Sequence, residues 1–228
     1  MVNPDAGHVA ELVFNHWEST VTKPQPAIYH LTYLVGELLM VAWAASVQRA
    51  NAFNSETKAK DRPSTSQFRQ DLLAFAEQNL LPHYVNGCTE EQHLQNLLRL
   101  CEHGTRIGGT LFDKHGYRLG IAQKFFNLSL KSLWSVGLIA EPPHCPVDRL
   151  IIERTSGQVE INWTEITSVD EYLLAIRALK KEAASQQLSL AEWELRYYAR
   201  RNPLKLDLVR LIDARREDEP ESVVASAS

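Results

Sequence analysis

The spacing of apolar residues along the chain predicts a succession of helices separated by short polar or proline-bearing breaks. Residues 5–19 have the spacing of a short amphipathic helix, and a break at Pro24 and Pro26 follows. Residues 27–49 are apolar nearly all round, which is typical of a helix at the centre of a protein core. The longest apolar run within them, 38–47, is too short to span a bilayer.

Capping residues predict where the next two helices begin. Ser64 or Ser66 can cap a helix that runs to about residue 81, where a proline follows. Thr89 with a glutamine three residues later forms a capping-box pattern. The helix that starts there is expected to end at Gly104.

The middle of the chain combines a glycine-rich stretch with a strongly apolar one. Residues 104–117 contain four glycines and predict a loop or hairpin between two helices. Apolar periodicity then predicts a long helix over 118–136. Three prolines within 141–147 predict an extended, stiff segment after it.

The last third of the chain is predicted to be helical again, with one alternative left open. Asp148 can cap a short helix to about residue 154, or residues 150–161 can form a β-hairpin that turns at Ser156 and Gly157. Three more helices are expected, over 169–187, 189–201 and 204–214. The charged and small residues from 215 to 228 predict a disordered tail, and the fold class is all-α.

Composition excludes several classes of protein. The three cysteines are widely spaced and include no CxxC pair, so no disulfide framework, zinc finger or iron–sulfur cluster is expected. No helical His-x-x-x-His pair is present, and we predict neither a metal nor another cofactor. The first residues lack the basic and apolar regions of a secretory signal, so we expect a cytoplasmic monomer with no membrane partner.

The net negative charge of the chain comes mostly from its C-terminal tail. The net charge is −4, but the tail from Asp213 holds five acids and two arginines and so contributes −3. Two basic clusters then stand out on a nearly neutral body: Arg99, Arg106, Lys114, Arg118, Lys124 and Lys131, and Arg196, Arg200, Arg201 and Lys205. Either cluster can hold a phosphate backbone or can form a solvated helix face.

The predicted helix 118–136 has one narrow polar seam. Gly120, Lys124, Asn127, Lys131 and Ser135 recur at intervals of three and four, while most other positions are apolar. A lysine in a narrow seam on a buried helix is costly unless it is paired or faces a cleft. Burial and a second nearby cation both favour the neutral amine, which is a nucleophile. The alternative is that both amines reach solvent at the edge of the seam.

A carboxylate is predicted close to that helix in sequence. The proline-bearing segment delivers Asp148 to the start of the next helix, where backbone N–H groups and the helix dipole stabilise a negative charge. A fixed anion beside a cleft lysine can accept a proton from the amine, or can stabilise a cationic sugar. An ordinary helix cap is the alternative role.

Two stretches of the sequence resemble the helix-hairpin-helix DNA glycosylases. The stretch Gly116-Tyr-Arg-Leu-Gly120-Ile-Ala-Gln-Lys124 is similar to that family's hairpin and catalytic lysine. The run from Ala122 to Lys131 is similar to the archaeal 8-oxoguanine glycosylase branch, and Cys145-Pro-Val-Asp148-Arg resembles the segment that carries the catalytic aspartate. The resemblance covers roughly 104–154.

The resemblance implies a two-lobed helical fold with a central cleft that holds double- or single-stranded DNA. The modified base is turned out of the stack and excised, with or without strand cleavage. The resemblance implies Lys124 as the first candidate nucleophile and Lys131 as the second, with Asp148 supporting the nucleophile. Residues implied in binding DNA or the base are Arg118, Lys114, Gly116, Gly120, Gln123, Asn127, Trp134 and His144, with Phe125 a further candidate for the base pocket. The implied lobes are 1–24 with 150–212, and 25–149.

Two settings and two other classes of function stay open. The excised base is an oxidised purine in repair, or a modified base of phage DNA in antiviral defence. A non-catalytic helical DNA-binding or adaptor protein would keep the basic clusters without needing the seam lysine. A helical ribonuclease is disfavoured because Arg99 and His103 are separated by only three residues, one fewer than that class requires.

Overall fold

The computed structural model describes residues 28–48, 50–54, 62–156 and 160–201. They form seven α-helices: α1 (Ile28–Val47), α2 (Arg62–Asn79), α3 (Glu90–Gly108), α4 (Leu119–Ser135), α5 (Arg149–Ile152), α6 (Val169–Ser185) and α7 (Leu190–Arg201). Three short 3₁₀ helices lie between them, at Leu81–Tyr84, Gly109–Leu111 and Trp163–Glu165. These ranges contain no strand, so the predicted all-α fold is confirmed.

Several helix limits follow from the capping residues that the sequence predicts. The hydroxyl of Thr89 accepts a hydrogen bond from the backbone of Gln92 and begins α3. Ser168 and Glu171 form a complete capping box at the start of α6. In contrast, α3 continues past Gly104 to Gly108, because Gly104 packs within the helix against the Tyr117 ring.

The β-hairpin alternative for residues 150–161 is wrong. Asp148 caps α5 instead, with its side chain accepting a hydrogen bond from the backbone of Ile151. The β-branched pair Ile151 and Ile152 is buried on this one helical turn. Burial of these side chains, rather than strand pairing, accounts for the apolar pattern.

Helix α4 forms the centre of the core. Eleven of its 17 residues are buried, and α1, α3 and the 3₁₀ helix Trp163–Glu165 all pack on it. At one contact the ring of Trp43 in α1 meets the ring of Phe125 edge-on, with 5.6 Å between centroids. Phe125 is therefore a core residue in this structure rather than part of a surface.

The expectation that α1 is buried on all sides is wrong. Only its C-terminal part packs into the core, through Ala42, Trp43 and Ser46. Apolar side chains along the rest of α1 are exposed, including Tyr29 at 79%, Tyr33 at 70% and Val41 at 65%. By length and composition alone, the helix over residues 29–47 could cross a membrane. Within its most apolar 18-residue stretch, 17% of the residues are buried in the protein.

The chain divides into two compact units at Glu194. The first, Met1–Glu194, contains α1 to α6 and the first turn of α7, and the second, Leu195–Ser228, begins with the rest of α7. The predicted lobes, with limits at residues 24, 149 and 212, remain a prediction. Predictions for residues 5–19, for 204–214 and for the tail lie outside the described residues.

Candidate active site

Lys124 and Asp148 lie together at one edge of α4. The Nζ atom of Lys124 is 3.4 Å from an Asp148 carboxylate oxygen, and the two side chains retain 12% and 23% of their exposure. The ammonium group also lies over the ring of Trp163, 4.2 Å from its centroid. An amine and a carboxylate are thus held together at a partly accessible position, as the seam of α4 predicted.

Trp163 is a site residue that sequence reasoning missed. It lies on the 3₁₀ helix Trp163–Glu165, outside the stretch that carries the family resemblance. In the sequence it appears only as a tryptophan followed by threonine and glutamate, and this pattern is too common to predict a functional site. The contact with Lys124 depends on Gly120, because a Cβ atom there would collide with the carbonyl oxygen of Trp163.

Gln123 holds the segment that carries Asp148. Its amide nitrogen donates to the carbonyl of Val147 at 2.7 Å, and its amide oxygen accepts from the Val147 N–H at 3.0 Å. Both residues are fully buried. One glutamine therefore satisfies both backbone groups of the residue that precedes Asp148.

Asn127 extends this attachment by one helical turn. Its amide nitrogen donates to the carbonyl of Cys145 and to the Tyr172 hydroxyl, each at 3.1 Å, and to the oxygen of Gln123 at 3.3 Å. Gln123 and Asn127 are implied by the resemblance to bind DNA or the base. In the structure both amide atoms of Gln123 and the amide nitrogen of Asn127 bond to the extended segment and attach it to α4, while the Asn127 oxygen is buried with no hydrogen-bond partner among the described residues. Their contacts with DNA stay a prediction.

His144 is also buried rather than presented to a ligand. Its Nδ1 atom lies 2.9 Å from the Tyr172 hydroxyl, and its ring meets that of His93 edge-on with centroids 4.6 Å apart. Burial, with a smaller contribution from the charge of Lys180, lowers the pKa of His144 to about 3. Burial, and the nearby His144, lower the pKa of His93 well below its usual range. Both rings are therefore neutral at physiological pH.

The N–H groups of both hairpin glycines are bonded within the protein. The N–H of Gly116 donates to the carbonyl of Asp113 at 3.0 Å, and that of Gly120 donates to the carbonyl of Ile166 at 2.9 Å. The N–H of Tyr117 donates to the Thr105 hydroxyl. These three N–H groups are therefore used for protein contacts, and the contact of Gly116 and Gly120 with a phosphate stays a prediction.

Arg118 likewise has protein partners. Its guanidinium group donates to the carbonyls of Ala50 and Asn51 at 2.9 and 3.0 Å, and lies 3.9 Å from Asp113. The side chain is 13% exposed. Arg118 thereby connects the chain after α1 to the hairpin before α4, and its contact with a phosphate stays a prediction.

The remaining predicted contacts lie nearer the surface. Lys114 is exposed in the loop before α4, and Trp134 is half-buried near the end of that helix. Of the first basic cluster, Arg99 and Arg106 are also exposed. In the second cluster, the described side chains include only Arg196. Arg200, Arg201 and Lys205 of that cluster lie outside the described side chains.

A second amine–carboxylate pair lies two turns further along α4. Lys131 Nζ is 2.9 Å from a carboxylate oxygen of Glu194, the fifth residue of α7. Glu194 is only 3% exposed, and its other oxygen, Oε2, is buried with no hydrogen-bond partner among the described residues. Sequence reasoning found Lys131 but missed Glu194, since an acid between Trp193 and Leu195 is a weak signal.

The two pairs act on each other electrostatically. Burial raises the pKa of Glu194, Lys131 opposes that shift, and the negative charge of Asp148 adds to it. The same three charged groups act on the pKa of the buried Cys145 thiol, which burial raises well above its usual range. The pKa values of Glu194 and Cys145 therefore both depend on the charges of Lys131 and Asp148.

We searched the described residues for a metal site, and we compared the chain with known proteins. Among the residues that the structure describes, no group of three or more histidine, cysteine, aspartate or glutamate side chains could hold a metal ion. Comparison with known proteins gives no match to the chain, whether with family models, curated proteins or solved structures. The family resemblance consequently rests on the residues of this sequence alone.

Proposed function

We propose that this chain is a DNA glycosylase, an enzyme that turns a modified or damaged base out of DNA and breaks the bond between that base and its sugar. The observation that carries this proposal is the pairing of Lys124 with Asp148 at 3.4 Å, on a helix that is otherwise buried. The type of reaction, cleavage of the bond between base and sugar, is inferred from the similarity of the surrounding sequence to helix-hairpin-helix glycosylases.

Each member of the pair has a distinct part in the proposed reaction. The Lys124 amine attacks C1′ of the sugar or holds the water that does so. Asp148 accepts a hydrogen bond from the backbone N–H of Ile151 at the start of α5, which orients its carboxylate. That negative charge stabilises the cationic sugar as the bond to the base breaks.

The arrangement around the pair supports preorganisation. Two hydrogen bonds from Gln123 fix Val147, the residue before Asp148, so the carboxylate has little freedom to move away from Lys124. Trp163 covers the other side of the amine. A nucleophile and an anion held in place before substrate binds are what an enzyme of this class requires.

The test is base release from defined DNA. Purified full-length chain is incubated with duplexes that carry 8-oxoguanine and other damaged bases, and with phage DNAs that contain modified cytosines. Released base is identified by mass spectrometry, and lysine–DNA adducts are trapped with borohydride. Release from the damaged duplexes would indicate repair, whereas release from phage DNA alone would indicate antiviral defence.

Two substitutions separate catalysis from binding. Lys124→Gln removes the amine, and Asp148→Asn removes the charge while keeping a residue that caps helices well. Each should lower base release at least about 100-fold while DNA binding persists. Lys181→Gln, an exposed lysine on α6, is the charge-matched control and should release base at the wild-type rate.

A second candidate function is favoured by the exposed apolar face of α1. Tyr29, Tyr33 and Val41 present a surface of the kind that adaptor proteins use to bind partners. In that case the wild-type chain would bind DNA but would release no base from any of the duplexes or phage DNAs. That result would replace the glycosylase proposal with the adaptor.

A further inference from the structure

Glu194 is a buried carboxyl group of which only one oxygen has a hydrogen-bond partner among the described residues. Only 4% of its side chain is exposed. One carboxylate oxygen accepts a hydrogen bond from Lys131 at 2.9 Å. The other, Oε2, has no hydrogen-bond partner in the part of the chain that the structure describes.

A buried polar atom without a partner costs free energy, so its retention calls for an explanation. A purely structural ion pair would be expected to satisfy both carboxylate oxygens. The unpartnered Oε2 belongs to a carboxyl group whose pKa is raised by burial, and that group therefore keeps its proton to higher pH than an exposed glutamate. A carboxyl group of this kind is suited to general-acid catalysis.

We propose that Glu194 is the general acid that protonates the departing base, with Lys131 as its positioning residue. This inference rests on the glycosylase activity proposed above. Lys124 and Asp148 act on the sugar, while Lys131, two turns further along α4, and Glu194 of α7 act on the base. The buried ammonium group of Lys131 then neutralises the carboxylate that the reaction leaves on Glu194.

The proton and the electrons balance in this scheme. The proton on Glu194 Oε2 passes to a nitrogen or oxygen atom of the base as the bond between C1′ and the base nitrogen breaks. The electron pair of that bond leaves with the base, which departs neutral. The amine of Lys124, or a water molecule that it holds, forms the new bond to C1′, and the proton that this nucleophile loses passes to the carboxylate of Asp148, 3.4 Å from the amine.

The experiment compares three DNA duplexes that differ in their need for a proton. The first carries 8-oxoguanine, a neutral base that needs protonation to leave. The second carries N7-methylguanine, whose ring is already cationic. The third carries a preformed abasic site, which has no base to lose, and its reaction with the lysine is measured by borohydride trapping.

The expected result with Glu194→Gln is a selective loss. Release of 8-oxoguanine should fall at least about 100-fold, release of N7-methylguanine should fall about 10-fold or less, and trapping at the abasic site should stay within about threefold of the wild type. In the wild type, release of 8-oxoguanine should decline as rising pH deprotonates Glu194, whose surroundings include Lys131, Asp148 and Cys145. The variant should lack this decline.

Two further variants guard against a folding defect. Glu194→Gln alone leaves the Lys131 charge buried without its carboxylate, so the double variant Lys131→Met/Glu194→Gln removes the whole pair. It should fold at least as stably as the single variant and show the same selectivity among the duplexes. Glu91→Gln, at an exposed position on α3, is the control and should match the wild type on all three.

The outcomes separate this inference from the function on which it rests. Equal losses on all three duplexes with Glu194→Gln would overturn the inference and leave the glycosylase proposal in place. Abasic-site trapping without release of either base would overturn the inference and the proposed base excision, while retaining a reactive lysine. A wild-type chain that neither releases a base nor traps an abasic site would overturn both.

Discussion

Gln123 and Val147 are joined by two hydrogen bonds, at 2.7 and 3.0 Å, although 24 positions separate them in the chain. The side chain of a helical residue thereby pairs with both backbone groups of one residue in an extended segment, as a neighbouring strand would. Because Asp148 follows Val147 directly, this pairing sets where the carboxylate of the candidate active site lies. The prolines make the segment stiff, but Gln123 attaches it to α4.

Replacement of Gln123 by leucine should therefore destabilise the protein. The change keeps the size of the side chain but leaves the N–H and carbonyl of Val147 buried and unpaired, at a cost of about 3 kcal/mol. Ser129→Ala is the matched control on the same helix, since the Ser129 hydroxyl bonds only to the carbonyl of Phe125, and should cost less than about 1 kcal/mol. Urea unfolding measures both, and equal losses would contradict the assigned role of Gln123.

Gly120 is predicted to be irreplaceable by alanine. A Cβ atom would collide with the backbone carbonyl of Trp163, so α4 and the 3₁₀ helix would have to separate. We expect a loss of about 3 kcal/mol or more, together with loss of the Trp163 ring from Lys124. Gly36→Ala in α1 is the control, because nothing lies within 4 Å of a Cβ atom there.

The Gly36 control should move stability in the opposite direction, by up to about 1 kcal/mol, because alanine is the better helix former. Thermal unfolding gives the change in stability for both variants. A Gly120→Ala variant as stable as the wild type would show that the close approach to Trp163 is not needed.

The two buried histidines should make stability fall in acid. Both pKa values are lowered in the folded protein, that of His144 to about 3, so between the unfolded value near 6.5 and these lower values only the unfolded chain takes up the protons. Stability is thus present above pH 6.5 and is lost as pH falls. Each histidine contributes up to about 1.4 kcal/mol per pH unit.

Urea unfolding at pH 7, 6 and 5 measures this dependence. His144→Gln should reduce the slope by about one proton, whereas the exposed His115→Gln should leave it as in the wild type. A free energy of unfolding that stays constant between pH 7 and pH 5 would show that the histidines are charged or accessible in the folded state.

The two faces of α1 should respond differently to substitution. Trp43→Ala removes a ring that packs against Phe68 and Phe125, with centroids 5.8 and 5.6 Å away, and should cost about 3–5 kcal/mol. Val41→Ser, two positions away but 65% exposed, should change stability by less than about 0.5 kcal/mol. A large effect at Val41, measured by thermal unfolding, would mean that this face is covered in solution.

Local features were predictable because their causes lie within a few residues. The caps at Thr89, Asp148 and Ser168 need only a side chain and the backbone of the next turn. The length of α4 and its lysine seam follow from helical periodicity. The pairing of Lys124 with Asp148 was expected as well, since a short extended segment leads from α4 to the next helix start.

Only the tertiary structure decided which polar groups were already committed. Gln123, Asn127 and Gly120 share the polar character of a binding surface, but their partners lie on the extended segment, on Tyr172 and on Ile166. A sequence specifies that an amide or an N–H needs a partner, and folding determines whether protein, water or ligand fills that need.

The same distinction holds for α1 and for Glu194. The apolar composition of α1 determined that it would be helical, yet which of its faces is covered depends on the elements that reach it. Glu194 lies 63 positions from Lys131, too far for any local pattern to pair them. The sequence by itself determined the helices and the cationic seam of α4, and packing of distant segments decided which carboxylates meet that seam.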